Sequence, residues 1–383
     1  MINITKYAEN EMRSFDELPF SDVDSLVLSK LSYVHFEGLV PGFEKNSVPV
    51  RLPEMLKAEN FSKMFRNVPQ AEDMPRFLVA LVASPRFRDI RMNHYINELD
   101  PGQEKQFCAI TFFLPSHIKF VAFRGTDNTL VGWKEDFNMA FVSPIPSQTR
   151  ATEYLQNVAQ RVSGSLMLGG HSKGGNLAVY AALTAPSSIQ NRIIAIFDHD
   201  GPGFRNEILD SEGYRRIEEK VHKTVPEFSF VGMLLEYRTK YSVVDSNRLG
   251  IGQHEPFSWK IEDGSFVLTD EISGGARYFN RSLKDWLGGL THEKRELFVE
   301  LLFKVLEASE AETFDDLLKE WQKNIGVIFT AMRETDPEMK KFVSQTIREF
   351  GSIMMRNLLK KKRHPIGEGR ELRPEHLLPD NRS

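Results

Sequence analysis

The pattern of apolar and polar positions divides the chain into three parts. In the first hundred residues the clearest signal is a helix opening at Ser21 or Asp22, with Val23, Leu26, Val27 and Leu31 recurring at helical spacing on one core-facing side. Prolines and alternating charges over 40–67 predict loops and short helices, another helix starts within 69–81, and 89–96 reads equally as strand or loop. The middle part is regular. Residues 107–114 and 118–123 are rich in β-branched and aromatic residues and are joined by Pro115-Ser116-His117, which predicts a hairpin. A helix follows over 130–141, Ser143-Pro144-Ile145-Pro146 breaks the chain, and a helix over 151–162 returns it to an apolar strand at 165–168. Next come a small-residue helix over 173–184, a strand over 193–197, a helix over 214–220, and strands near 224–231 and 241–244. Such alternation predicts an α/β fold, a mainly parallel sheet with helices on both faces.

Beyond Trp259 the alternation stops. Two helical stripes, Leu297, Phe298, Leu301, Leu302, Val305 and Leu306, then Phe342, Val343, Ile347, Phe350, Ile353 and Met354, predict a helical appendage that covers the site or binds a partner. The basic run Lys360-Lys361-Lys362-Arg363 and the Pro- and Gly-containing residues after it read as a solvated tail. The expected organisation is an α/β domain at 1–285, a helical appendage at 286–359 and a flexible tail at 360–383.

Composition narrows the classes. A net charge of -4 over 383 residues gives no global reason to expect nucleic acid. The single cysteine, Cys108, rules out an intramolecular disulfide and lies in an apolar run, so a buried thiol in a reducing compartment is expected. The first ten residues lack the apolar core of a secretory signal, and no segment has the uninterrupted apolar length of a membrane span. A soluble, cytoplasmic protein is the expectation; oligomeric state is not legible.

The candidate chemistry centres on Gly169-Gly170-His171-Ser172-Lys173-Gly174-Gly175-Asn176-Leu177. This stretch holds G-x-S-x-G between an apolar strand and a helix, the setting in which a serine is thrown out at the tip of a sharp turn. Glycines two positions either side leave room for that turn. The backbone N–H of Lys173, opening the next helix, points toward where an oxyanion would form. A glycine-rich turn can also cradle phosphate, but Ser172 precedes Lys173 where a Walker loop has Gly, and no Ser or Thr follows it.

A serine nucleophile needs a base, oriented by an acid, in the chain order serine, acid, histidine. His171 adjoins Ser172 and is directed elsewhere by the turn. His254, on a loop after the last strand, is the favoured base; His199 is the main competitor, His222 begins a strand at its wrong end, and His292 falls in the helical region. Asp200 is the favoured acid because it ends the strand after the nucleophile helix and opens the Gly201-Pro202-Gly203 turn. Asp198, Asp245 and Glu236 stay open as alternatives. Arg124-Gly125-Thr126-Asp127, after an earlier strand, fits the second oxyanion donor, with Thr126 offering its N–H and hydroxyl.

These residues carry a resemblance. Val121 to Asp127, with Trp133 and Asp136, resembles the oxyanion strand and loop of class 3 lipases, and Gly169 to Leu177 resembles their nucleophile elbow. More closely, Phe123-Arg124-Gly125-Thr126-Asp127, the elbow, Asp200-Gly201-Pro202-Gly203-Phe204 and Gln253-His254-Glu255-Pro256-Phe257-Ser258-Trp259 together resemble the bacterial Mbeg1-like family, formerly a domain of unknown function. The resemblance implies an α/β-hydrolase fold, with Thr126 matching the lipase oxyanion residue. One departure stands out: where lipases carry the acid, after the later strand, this chain has Phe228-Ser229-Phe230-Val231-Gly232, without a carboxylate. The expected activity is a serine hydrolase cleaving a carboxylic ester, of a lipid or another acyl compound, with no metal or organic cofactor. The alternatives are a catalytically silent hydrolase fold used as a binding or scaffold module, and a peptidase or thioesterase on the same residues.

Overall fold

The computed structural model of the protein describes residues 1–277 and 281, apart from 45, 46, 116, 128, 140, 141, 230, 275 and 276. The helical appendage expected at 286–359, the tail at 360–383 and His292 lie outside the described residues. In chain order the elements are α1 (Ile4–Asn10), α2 (Asp22–Leu31), β1 (Val50–Arg51), α3 (Ala58–Met64), α4 (Met74–Ala83), β2 (Arg91–Asp100), β3 (Lys105–Phe113), β4 (Lys119–Phe123), α5 (Leu130–Met139) and α6 (Pro146–Arg161). There follow β5 (Leu166–His171), α7 (Lys173–Thr184), α8 (Ser187–Gln190), β6 (Ile193–His199), α9 (Asn206–Leu209), α10 (Glu212–Ile217), β7 (Val221–Pro226), β8 (Tyr241–Val244), β9 (Ile261–Glu262), β10 (Ser265–Phe266) and β11 (Leu268–Thr269).

The main sheet runs β1-β2-β3-β4-β5-β6-β7-β8-β11. Strands β1 to β4 pair antiparallel, β4 through β8 pair parallel, and β11 closes antiparallel on β8. Period-two alternation sends successive side chains to opposite faces. Phe107, Ala109, Val121, Phe123, Leu166 and Leu168 pack with α6, α7 and α10 on one side. Cys108, Ile110, Phe112, Phe120 and Ala122 pack with α1, α2 and α4 on the other. Helices therefore cover both faces of a mixed sheet whose centre, β4 to β8, is parallel, an α/β-hydrolase-like fold.

The amino-terminal layer is pinned by one buried charge pair. Ser21 and Asp24 form a capping box at the start of α2. Asp24 also accepts from Arg86 at 2.7 and 2.6 Å and from Tyr7 Oη at 3.0 Å. Arg86 spends its remaining donors on the carbonyls of Arg13, Ser14, Leu18 and Pro19, so the segment before α2 is tied down as well.

Several boundaries differ from the sequence reading for identifiable reasons. Residues 91–100 form a strand whose pattern is obscured by a register shift between Asn93 and Ile96 and by His94 at φ +57°. The strand expected over 224–231 ends at Pro226, which has no N–H to continue a ladder. Helix α6 starts at Pro146, inside the expected break, because proline suits the first helical turn.

Candidate active site

Ser172 sits between β5 and α7 with φ +58° and ψ -134°, a conformation that a non-glycine residue adopts only under local compulsion. The compulsion is close packing. A Cβ on Gly170 would lie 2.2 Å from the Gly174 carbonyl carbon, so the two glycines of the motif are in direct backbone contact. The Ser172 N–H donates to the His199 carbonyl at 2.9 Å, and its own carbonyl accepts from Gly175 N at 2.9 Å, which locks the turn. Ser172 Oγ makes no hydrogen bond among the described residues.

The parallel pairing of β5 with β6 sets His171 opposite His199, so the residues just beyond both strands share one sheet edge. Asp200 stands there with φ +54°, its N–H donating to the Thr224 carbonyl at 2.7 Å. Its Oδ2 receives His254 Nδ1 at 2.6 Å. Its Oδ1 accepts from Ser229 Oγ at 2.5 Å and Gly232 N at 3.2 Å. The loop without a carboxylate thus supplies donors that fix the carboxylate of the neighbouring strand. Asp200 is fully buried, and the His254 side chain is 26% exposed. A buried acid behind a half-open imidazole is the arrangement that fixes a tautomer: with Nδ1–H donated to Asp200, Nε2 is left as the proton acceptor.

His171 supports this loop in a way the sequence did not reveal. Its Nε2 donates to the His254 carbonyl oxygen at 2.8 Å, and its ring centroid lies 4.5 Å from that of His254. Tyr33 Oη stands 3.4 Å from His171 Nδ1. Burial, with the neighbouring His254 and Lys30 adding to it, holds His171 well below the ordinary imidazole range, so its ring stays neutral. The residue before the candidate nucleophile therefore positions the loop that bears the candidate base.

The other acids and histidines have different partners. Asp198 pairs with Lys223 Nζ at 2.6 Å and accepts from Gly201 N at 2.8 Å; burial raises its carboxyl above the usual range. Asp245 pairs with Lys260 at 2.7 Å. Glu236 donates its backbone N–H to the Phe204 carbonyl at 3.0 Å, in a bridge alongside the Gly203 turn. His222 is half exposed beside Asp22. His199 is enclosed, with Nε2 in a short hydrogen bond to Ser25 Oγ on α2 and Nδ1 2.6 Å from Thr224 Oγ1. Burial drives it to a pKa of about 3, with His222 and Lys223 contributing. Ser25 and His199 form a serine–histidine pair, but one within the core and with no carboxylate on the far nitrogen.

The loop after β4 brings Thr126 to the elbow. A Cβ on Gly125 would fall 2.5 Å from the His171 carbonyl oxygen and 3.2 Å from Ser172 Cβ, so this loop backs directly onto the turn. Thr126 Oγ1 donates to Asp136 Oδ2 through a short bond, and burial, partly offset by Lys173 and Thr126, pushes the Asp136 carboxyl up to about 6. Neither the Thr126 amide nor the Lys173 amide donates a hydrogen bond among the described residues; Lys173 follows Ser172 in the chain, and Thr126 follows Gly125, which backs onto the turn.

Among the described residues no group of three His, Cys, Asp or Glu side chains is arranged to hold a metal ion, and no helix is long and apolar enough to cross a membrane. Cys108 is buried, and that burial pushes its thiol up to about 11.

No curated protein matches the sequence. Among solved structures, a crystal structure of M37 lipase is similar at 14% identity and a TM-score of 0.35, over 56% of this chain and 70% of that one. The model of the Mbeg1-like family matches residues 81–304, a span that takes in the loop after β4, the Ser172 turn, Asp200 and His254. More than half of the sequence falls within that match, and the chain belongs to the Mbeg1-like family.

Proposed function

We propose that the protein is a serine hydrolase that cleaves a carboxylic ester, with Ser172 as nucleophile, His254 as base and Asp200 as the acid that orients it. The observation that carries this reading is the convergence of the Asp200–His254 pair, 2.6 Å apart, with the strained Ser172 turn at one edge of the sheet. In the proposed reaction Ser172 Oγ attacks the ester carbonyl while His254 Nε2 takes its proton. Asp200, held by Ser229 and Gly232, stabilises the imidazolium that forms. The amides of Thr126 and Lys173 receive the oxyanion. His254 then returns the proton to the departing alkoxide, leaving an acyl ester on Ser172. Water, deprotonated by His254, repeats the sequence and releases the acid. A lipid or other acyl ester is the substrate class in view, and the residues invoked need no metal or organic cofactor.

The test is hydrolysis of a panel of acyl esters, thioesters and amides by the purified protein and by its Ser172→Ala variant. The proposal expects ester turnover in the parent and a fall of several powers of ten in the variant. Undiminished ester hydrolysis by folded, pure Ser172→Ala protein would overturn it, and a preference for thioesters or amides would move the substrate class.

A further inference from the structure

The side chain of Lys173 is 1% exposed and runs down into the protein. Its ammonium donates to the Gln106 carbonyl at 3.0 Å, to Gln106 Oε1 at 2.8 Å and to Glu135 Oε2 at 2.9 Å, which uses all three N–H bonds. Glu135, on α5, is 0% exposed and receives Gln106 N at 3.1 Å, Ser147 N at 2.9 Å and Ser147 Oγ at 2.8 Å besides Lys173. The pair is fully desolvated and fully hydrogen-bonded, the one circumstance in which a buried ion pair is geometrically defining rather than merely costly. It joins the first residue of α7, next to Ser172, to the middle of α5.

The neighbour of Glu135 on α5 is Asp136, which holds the Thr126 hydroxyl. A Cβ on Gly132, one turn earlier in α5, would touch Thr126 Cγ2 at 3.0 Å, so α5 also packs on Thr126 directly. The geometry points to Lys173 and Glu135 as positioning residues: their ion pair sets α5, and through Asp136 the Thr126 donor, at a fixed place relative to Ser172. This rests on the reading of Ser172 and Thr126 given above and adds to it a function for a lysine in the x position of G-x-S-x-G. Electrostatics link the two acids as well. Asp136 is faced by Lys173, Glu135 and Asp127, with Lys173 3.8 Å away as the cation that offsets its burial.

The test compares Lys173→Met, Glu135→Gln, the double variant, and Glu135→Asp, which keeps the charges but shortens the tie by one methylene. Turnover is expressed per fluorophosphonate-reactive serine, so that misfolded protein does not count. Each of the first two leaves an unpaired buried group and is expected to lower Tm. The double variant restores charge balance and is expected to regain Tm, while kcat stays about 10- to 100-fold down with KM within a few-fold, at or below the roughly 100- to 1000-fold lost when one oxyanion donor is removed outright. In Lys173→Met the acid limb of kcat is expected to move to higher pH, because Asp136 loses its cation; a merely structural lysine would not move it. Wild-type kcat in the folded double variant, or in Glu135→Asp if the double variant does not fold, overturns the proposal. Should the parent neither label nor turn over, the hydrolase reading fails, and crystal structures of parent and Glu135→Asp decide the tie. Thr126 displaced relative to Ser172 supports it, and an unmoved Thr126 refutes it.

Discussion

Replacing Asp200 by Asn tests the proposed triad without changing its shape. Asp200 Oδ1 accepts from Ser229 Oγ at 2.5 Å and Gly232 N at 3.2 Å, so an asparagine places its carbonyl oxygen there and turns its NH2 group toward His254 Nδ1. Two donors then face each other across the 2.6 Å that the carboxylate now bridges. The imidazole escapes by moving its proton to Nε2, which removes the lone pair needed to accept the Ser172 proton. The tautomer change alone carries a loss of about 10⁴ in kcat in a triad of this kind. Removing the charge contributes in the same direction: unit charges about 4 Å apart at an effective dielectric of about 20 interact by roughly 4 kcal/mol, about a thousandfold on a rate. These are two views of one interaction and are not summed. The assay is kcat for the best ester in the panel, with Tm measured in parallel because Asp200 is fully buried. A fall of three to four powers of ten in folded protein is expected, and a kcat within tenfold of the parent would refute the assignment of Asp200.

Three further outcomes follow from the same geometry. Thr126→Pro deletes the proposed donor N–H and is expected to lower turnover about a hundredfold or more, with the fold checked by circular dichroism; activity near the parent's would put the second donor elsewhere. Arg86→Met leaves Asp24 buried without its cation and is expected to cost about 3–5 kcal/mol in chemical denaturation, while a loss under about 1 kcal/mol would contradict the anchoring given to that pair. His199 has a folded-state pKa of about 3, below its ordinary value, so the unfolded chain takes up that proton first. Its contribution to stability is therefore complete above roughly pH 6.5 and declines as pH falls toward about 3, by about 1.4 kcal/mol per pH unit. His199→Gln should flatten the stability curve over that interval by this amount, and an unchanged slope would show that His199 is already charged in the folded protein.

What the sequence disclosed and what it hid divide along physical lines. The helix Lys173–Thr184 and the strand Tyr241–Val244 were legible to the residue, since the first runs from the glycine-rich turn to the residue pair Ala185-Pro186 and the second ends in two valines closed by Asp245-Ser246-Asn247. The strand Arg91–Asp100 was not, because its bulge breaks the alternation that would have announced it. The elbow was visible in its glycines, whose spacing is local. The partner of His254 was harder. Asp198, on β6, and Asp200, just beyond its end, are two residues apart, and only the pairing of β6 with β7 decides that Lys223 meets the first. Glu135 and Asp136 fall in the helix expected over 130–141, where nothing local shows what they meet. Their burial depends on Lys173, which lies 38 residues away from Glu135 in sequence and comes beside it only when β4 and β5 pair. His199 looked like a rival base until its contacts with Ser25 and Thr224 placed it in the core, and no local pattern encodes a contact across 174 residues.

The central claim is that Ser172 is an activated nucleophile. The most direct measurement is incubation of the intact protein with a fluorophosphonate probe, followed by digestion and mass spectrometry of the peptide spanning Gly169 to Leu177. One phosphonyl group is expected on Ser172, formed at a rate that falls by orders of magnitude in His254→Ala. Labelling that settles on another serine, or that leaves the Ser172 peptide unmodified in folded protein, would contradict it.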